Sequence, residues 1–566
     1  MSESLRPHGG SHVEGDAREP LRNETIAETL AATVARHGSR EAAVFADRGL
    51  RWTWAEFAAA VDRLATGLLD LGIERGDRVG IWSPNRPEWL LTQFATARIG
   101  AILVNVNPAY RIGELEYALT KVGCRALILA DAFKTSDYLA IIARLAPELA
   151  GAAPGDLRAE RLPALRAVIR MGTAGSPGML DFDALAATLA DPARLDAITR
   201  MLSPEDAINI QFTSGTTGLP KGATLTHRNI VNNAHFVTAA MRFTAADRLC
   251  IPVPLYHCFG MVMGTLGCVT KGATMVFPGE GFDPVATLQA VAGERATALY
   301  GVPTMFAAML DAPAFGTLDL SSLRTGIMAG APCPIEIMKK VALLMHMSEV
   351  TICYGMTETS PVSFQSSPDD PLEKRVTTVG RVHPHVEVKL IDGSGATVPI
   401  GERGELCTRG YSVMQGYWDD PERTAEVIDA GGWMHSGDLA TIDRDGYCNI
   451  VGRVKDMLIR GGENVYPREI EEYLFRHPAV QMVQVFGVPD PKYGEEVCAW
   501  IVLKPGVTAT EEDIRAFCRD QLAHYKVPRY VRFVDDFPMT VTGKMQKFVM
   551  RERMVEELQL AEQKTA

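Results

Sequence analysis

The chain has 566 residues, 47% hydrophobic and 22% charged, close to ordinary globular usage, which excludes disordered and fibrous architectures and predicts more than one domain. Its 57 Lys+Arg against 69 Asp+Glu give a net charge of −12, which speaks against a general nucleic-acid binder and leaves room for local cationic sites for a small anion. No apolar run approaches the roughly 20 residues that a spanning helix needs, so no integral membrane association is expected.

Residues 1–20 are rich in Gly, His and charge and lack an apolar signal core, so they read as a flexible tail. Ile26, Leu30 and Val34 then mark an amphipathic helix ending at His37-Gly38. Leu50–Trp54 alternates as a strand, and Phe57, Val61, Leu64 and Leu68 form a second helical stripe. Buried-strand candidates follow at Arg78–Trp82, Ala101–Val104 and Ala126–Leu129, separated by helical stretches as parallel β-α-β layering requires. After an Ala- and Pro-rich patch near 148–164 the pattern resumes with strands at Ile208–Phe212, Cys250–Val253, Thr274–Phe277, Ala298–Tyr300 and Thr325–Met328. Beyond about residue 380 the strands shorten (Val386–Ile391, Gly404–Cys407). From Gly452 the segments read strand, strand, helix, strand, strand, helix, strand, a compact α+β module with its boundary near Arg453–Asp456. The fold class is therefore α/β: a large N-terminal domain of layered α/β subdomains with a small β-rich part (21–454), followed by a small α+β C-terminal domain (455–566). The ten cysteines show no Cys-x-x-Cys pair and sit in apolar surroundings, which predicts buried free thiols in a reducing, cytoplasmic setting. The C-terminal residues carry no lipidation or peroxisomal signal.

The most informative stretch is Thr213-Ser-Gly-Thr-Thr-Gly-Leu-Pro-Lys-Gly222. Glycines let backbone N–H groups turn inward, hydroxyls of Thr213, Ser214, Thr216 and Thr217 add donors, and Lys221 adds positive charge. With Gly215 and Gly218 they make a nest suited to phosphate oxygens, and the chain is expected to resume as a helix near Thr226. The pattern is not the Walker loop, because Pro220 precedes the lysine and Gly222 follows it.

This segment resembles the phosphate loop of the adenylate-forming enzymes, the superfamily of acyl-CoA synthetases, peptide-synthetase adenylation domains and luciferase. Four further segments are similar to that family's motifs and stand in its order: Tyr354–Thr359, Trp433–Asp438, Gly452–Asn464 and Thr542-Gly-Lys544. The resemblance spans about residues 25–550. It is nearest the medium-chain fatty acyl-CoA synthetase branch, on Phe212–Gly218, Pro254–Cys258, Tyr300–Phe306 and Arg460–Pro467.

The resemblance implies a two-step AMP-forming acid–thiol ligase using ATP, Mg2+ and coenzyme A. A carboxylate attacks the α-phosphate of ATP to give acyl-AMP and pyrophosphate, and the coenzyme A thiol then displaces AMP. It implies that Lys544 bridges carboxylate and α-phosphate, that Glu358 binds Mg2+ with Thr357 adding a phosphate contact, and that Tyr354 and Gly355 face adenine opposite Gly330, Ala331 and Pro332. Asp438 and Arg453 would hold the ribose. Lys455 aligns with the family's hinge, where many members carry Asp; about it the C-terminal domain would rotate to exchange Lys544 for the Gly461-Gly462 segment, the coenzyme A channel. On residue pattern alone, His257 reads as a satisfied core histidine; the resemblance places it beside the substrate carboxylate, with no base role because that acid is already ionised at pH 7. Phe259, Met261, Val302 and Met328 would line an acyl pocket. Its apolar composition favours a fatty acid. A short, aromatic or sulfur-containing acid, acyl loading onto a carrier protein, and a non-catalytic ATP-binding module are the alternatives. Partners are small molecules, with a homodimer left open.

Overall fold

Short, wholly buried strands separated by helices dictate the architecture of most of this chain. The computed structural model describes residues 6–172, 175–213, 220–331, 333–453, 455–460, 463–519, 521–540 and 545–560. These fall into two compact units: Glu14–Glu387 with Thr408–Met434, and Arg6–Val13 with Val388–Cys407 and the chain from His435 onward.

The first unit holds two large sheets. One has eight strands in the order Leu180–Asp181, Ala167–Arg170, Ala126–Leu129, Arg78–Trp82, Ile102–Asn105, Ala207–Thr213, Lys221–Thr226, Gly416–Tyr417. It is parallel as far as Ala207–Thr213 and antiparallel beyond. The other has nine, in the order Arg381–Val382, Val362–Gln365, Glu349–Gly355, Thr325–Met328, Ala298–Gly301, Arg248–Cys250, Thr274–Phe277, Glu41–Phe45, Leu50–Thr53. The central strands are buried along their whole length, as parallel strands covered on both faces must be. The flanking helices start at matched caps. Thr25 with Glu28, Thr53 with Glu56 and Thr226 with Asn229 each form a capping box, for helices Ile26–His37, Trp54–Asp70 and His227–Ala240.

Three details of this unit depart from the sequence pattern. The strand expected at Cys250–Val253 is Arg248–Cys250: Pro252 and Pro254 supply no N–H, and the buried Asn85 amide takes the next backbone groups, donating to the Val253 carbonyl (3.0 Å) and accepting from Leu255 N–H (2.8 Å). Lys221–Thr226, expected as loop leading to a helix, is a strand paired antiparallel with Ala207–Thr213. The helix after His257 is a π-helix, Phe259–Leu266. There the Met261 carbonyl accepts from Thr265 Oγ1 (2.5 Å) and Gln93 Nε2 (3.3 Å), and a Cβ on Gly260 would fall 2.4 Å from the Pro254 carbonyl oxygen, so only glycine lets that turn pack.

In the second unit one sheet runs in the order His12–Glu14, Val386–Ile391, Gly404–Gly410, Met434–Ile442, Cys448–Arg453. The N-terminal segment expected as a flexible tail thus supplies an edge strand. Ser11 N–H donates to Val398 O, its carbonyl accepts from Leu390 N–H, and Val13 is fully buried, an apolar residue that a polar context hides from composition. A second sheet consists of Glu463–Val465, Leu458–Arg460, Gly494–Leu503 and Val480–Asp490, with Tyr530–Phe533 parallel to Gly494–Leu503. Strand alternation builds a core on each face. Val483, Val485, Val497, Ala499 and Ile501 join one under helices Pro467–Leu474 and Glu511–Arg519; Phe486, Val488, Cys498 and Trp500 join the other with Met550 and Met554 of helix Lys547–Glu557, which the sequence pattern did not mark. All ten cysteines are free, nine of them buried. No helix among the described residues is long and apolar enough to cross a membrane.

Candidate active site

Adjacent parallel strands end at the same edge of a sheet, and loops leaving that edge converge. In the nine-stranded sheet, Ala298–Gly301, Thr325–Met328 and Glu349–Gly355 are neighbours with Gly301 opposite Met328 and Met328 opposite Ile352. Val302 and Gly330-Ala331 leave that edge together, and Tyr354 extends past it, paired with Phe364 on its other side. A Cβ on Gly330, which has φ +86°, would meet Val302 Cγ1 at 3.2 Å. Gly355 tolerates no side chain at all, since a Cβ would fall 1.7 Å from the Pro361 carbonyl oxygen. There the chain returns antiparallel to itself, Gly355 opposite Val362, through the buried 3-10 turn Thr357-Glu358-Thr359.

Glu358 is 5% exposed, so its carboxylate needs donors. Two are present: Tyr417 Oη at 2.9 Å and Thr213 Oγ1 at 3.1 Å, both on Oε1. Among the described residues Oε2 takes no hydrogen bond. Thr213 and Lys221 are register partners where the strands Ala207–Thr213 and Lys221–Thr226 meet, so the chain leaves and re-enters the sheet at facing positions beside Glu358. The Lys221 ammonium lies 4.4 Å from the Tyr417 ring centroid, a cation–π contact. Burial first, and the Glu358 charge second, push the Tyr417 phenol far above its ordinary pKa, so it stays protonated and donates. The structure thereby brings together Thr213, Lys221, Thr357 and Glu358 from the sequence reading and adds Tyr417.

The supporting groups come from the helix His227–Ala240. Asn229 Nδ2 donates to the Tyr411 (2.5 Å) and Val413 (3.1 Å) carbonyls. Asn233 closes a two-way clamp on Val362, donating to its carbonyl at 2.8 Å and accepting from its N–H at 3.1 Å. Two asparagines four apart on a buried helix face are a legible signal for such a clamp. Tyr417 has no comparable local signal.

His257 precedes the π-helix. Its Nδ1 accepts from Phe259 N–H at 3.2 Å, which puts the ring proton on Nε2. Phe259, Met261, Val302 and Met328 are all buried. The Phe259 and Tyr300 rings lie 5.3 Å apart, and Tyr300 Oη donates to the Met263 carbonyl, so that phenol is already spent on backbone.

In the second unit Asp438 and Arg453 are cross-strand partners, and Arg453 Nε donates to Asp438 Oδ1 at 2.9 Å. The bend that presents Asp438 is held by Ser436 Oγ, which donates to Leu406 O (2.7 Å) and accepts from Asp438 N–H (3.1 Å). Glu405 Oε1 accepts from Gly437 N–H (3.1 Å), where Gly437 has φ +68°. Lys455 is exposed in the turn after Cys448–Arg453. The expectations for Ser214, Gly215, Thr216, Thr217, Gly218, Pro332, Gly461, Gly462 and Lys544 lie outside the described residues.

Comparison with known proteins identifies the family. Residues 30–418 match the family described as AMP-binding enzyme, and residues 469–544 match the AMP-binding enzyme C-terminal domain. A putative acyl-CoA synthetase YngI of Bacillus subtilis is 49% identical over 96% of this chain and 99% of its own length. The mitochondrial medium-chain acyl-CoA ligase ACSF2 of Danio rerio is 48% identical over 97% and 91%. Among solved structures, an anthranilate CoA ligase, AuaEII, in complex with anthranoyl-AMP superposes with a TM-score of 0.84 at 28% identity, covering 96% of this chain and 99% of the other. With both domain families matched in order and relatives alike from end to end, the chain belongs to the AMP-binding enzyme family.

Proposed function

We propose that the protein is an ATP-dependent fatty acid–CoA ligase acting on medium-chain acids, forming acyl-AMP and pyrophosphate and then acyl-CoA and AMP. The observation that carries the reading is the Glu358 carboxylate, buried and pinned through one oxygen by Thr213 and Tyr417 beside Lys221. A carboxylate held this way keeps its second oxygen for a hard cation. Mg2+ fits that donor set, with Glu358 as its protein ligand and Thr357 as a hydroxyl nearby, and when bound it would neutralise charge on the ATP phosphates.

The reaction brings a carboxylate towards a triphosphate, so this chain's task is to position two anions and offset their repulsion. Lys221, with Thr213 and the residues 214–218 between them, takes the phosphates. Tyr354 and Gly330-Ala331-Pro332 take adenine, and Asp438 with Arg453 takes the ribose hydroxyls. His257 donates from Nε2 to the substrate carboxylate, which needs no base. Lys544 draws carboxylate and α-phosphate together in the first half-reaction. Rotation about Lys455 then presents Gly461-Gly462 to the thiol. Each methylene of the acyl chain buried against Phe259, Met261, Val302 and Met328 contributes about 0.8 kcal/mol. Ten free cysteines suit a reducing, cytoplasmic location. The test is AMP release across acids from acetate to stearate and a set of aromatic acids, with and without free coenzyme A. The expected maximum is at medium-chain acids with thioester formed. An aromatic optimum, or release without thioester, refutes the reading.

A further inference from the structure

The strand Ala207–Thr213 places Asn209, Gln211 and Thr213 on one face, because side chains alternate along a strand. Ile208, Ile210 and Phe212 occupy the other. Thr213 reaches Glu358 (3.1 Å). Asn209 and Gln211 point into the core, where they are 0% and 3% exposed. Carboxamides so placed cost free energy unless each donor and acceptor is matched.

They are matched in a directional chain. The Cys258 thiol donates to Gln211 Oε1 (3.0 Å), Gln211 Nε2 to Asn209 Oδ1 (2.8 Å), Asn209 Nδ2 to Asn105 Oδ1 (3.0 Å), and Asn105 Nδ2 to the Tyr256 carbonyl (2.9 Å). The second Asn209 hydrogen goes to Leu103 O (2.9 Å). Asn105 and Gln211 are register partners in adjacent parallel strands, which is why their amides can share one network. The chain begins on the residue after His257 and ends on the residue before it. Asn105 and Gln211 also reach the Met261 sulfur, at 3.4 and 3.7 Å, so the same amides touch the π-helix of the acyl pocket.

We propose that Asn105, Asn209, Gln211 and Cys258 are positioning residues for the acid half of the site: they fasten the backbone on both sides of His257 to the strand that carries Thr213. The imidazole is thereby held at a fixed place relative to the phosphate-side residues. A fatty carboxylate meets a preset donor, without loop ordering at the moment of binding. This rests on the reading that His257 faces the substrate carboxylate.

The experiment measures pyrophosphate release with octanoate and MgATP varied separately, for Gln211→Met, Cys258→Ala, Cys258→Ser, His257→Ala and Gln211→Met in the His257→Ala background. Gln211→Met keeps the length and removes the amide, and is expected to raise KM for octanoate about tenfold, the scale of one unsatisfied buried partner, with KM for MgATP changed less than about twofold. Cys258→Ala should raise KM for octanoate about threefold and Cys258→Ser, which keeps a donor, should restore it. In the His257→Ala background the Gln211→Met effect should vanish, because the two act as one unit. Equal rises in both KM values, failure of serine to rescue, or an undiminished Gln211→Met effect without His257 overturns the proposal. If His257→Ala alone leaves KM for octanoate unchanged, the carboxylate reading of His257 falls and the proposal falls with it.

Discussion

Tyr417→Phe isolates one interaction in the site. The substitution deletes the hydroxyl and keeps the ring, so the Lys221 contact at 4.4 Å and the packing of the 5%-exposed side chain persist. What is lost is a 2.9 Å hydrogen bond from a neutral phenol to a buried carboxylate. Bonds to charged groups are worth about 1.5–3 kcal/mol, which corresponds to roughly a ten- to hundredfold change in rate or affinity. Thr213 still donates to the same oxygen, so the lower end, about ten- to thirtyfold, is expected. The loss should fall on kcat/KM for MgATP and on the Mg2+ requirement, because Glu358 is read as the metal ligand, while KM for octanoate stays within about twofold. The assay is pyrophosphate release at saturating octanoate with MgATP and free Mg2+ varied, on protein whose thermal midpoint is compared with the parent. A kcat/KM within about twofold of the parent, or an equal rise in KM for octanoate, refutes the assignment of Tyr417 as the group that holds Glu358 for the metal.

Lys544→Ala is expected to cut acyl-adenylate formation by at least ~10², the scale of one preorganised electrostatic donor, and to leave thioester formation from supplied acyl-AMP nearly intact; equal damage to both half-reactions removes the role. Gly462→Leu is expected to do the reverse, measured by the same pair of half-reaction assays, and a normal thioester rate in that variant discredits the channel. His227 and His383 are buried, and burial pulls each imidazole down to about 3 from 6.5. The unfolded chain therefore binds protons that the folded one refuses, and their contribution, complete above pH 6.5, is lost as pH falls towards 3. Linkage gives about 2 kcal/mol per histidine between pH 7 and 5; denaturant unfolding at the two pH values should show the loss, and His383→Gln should remove about half of it, whereas an unchanged slope in that variant refutes the assignment.

How far a sequence reveals such a site depends on which interactions are local. Arg78–Trp82, Ala126–Leu129, Thr274–Phe277 and Thr325–Met328 coincide with the hydrophobic pattern residue for residue, because a strand buried on both faces is written in its own apolar run. The residue types suited to phosphate are equally visible: glycines, hydroxyls and a lysine crowd the stretch from Thr213 to Gly222. Tyr417 is different. It stands 59 residues from Glu358 and its partner Thr213 stands 145 away, and no periodicity encodes a pairing across that distance. Lys221–Thr226 escapes notice as a strand for a related reason, since its place in the sheet is defined by Gly416–Tyr417 pairing on one side and Ala207–Thr213 on the other. The N-terminal strand and the helix Lys547–Glu557 are set by docking onto a sheet more than by their own patterns. The amides fall between these cases. Asn209 and Gln211 alternate with Ile208, Ile210 and Phe212 in a strand otherwise written for burial, and that placement by itself requires hydrogen-bond partners somewhere in the core. The strand period fixes the face they share; only the topology, by setting Asn105 beside Gln211 and Cys258 above them, decides that the partners flank His257.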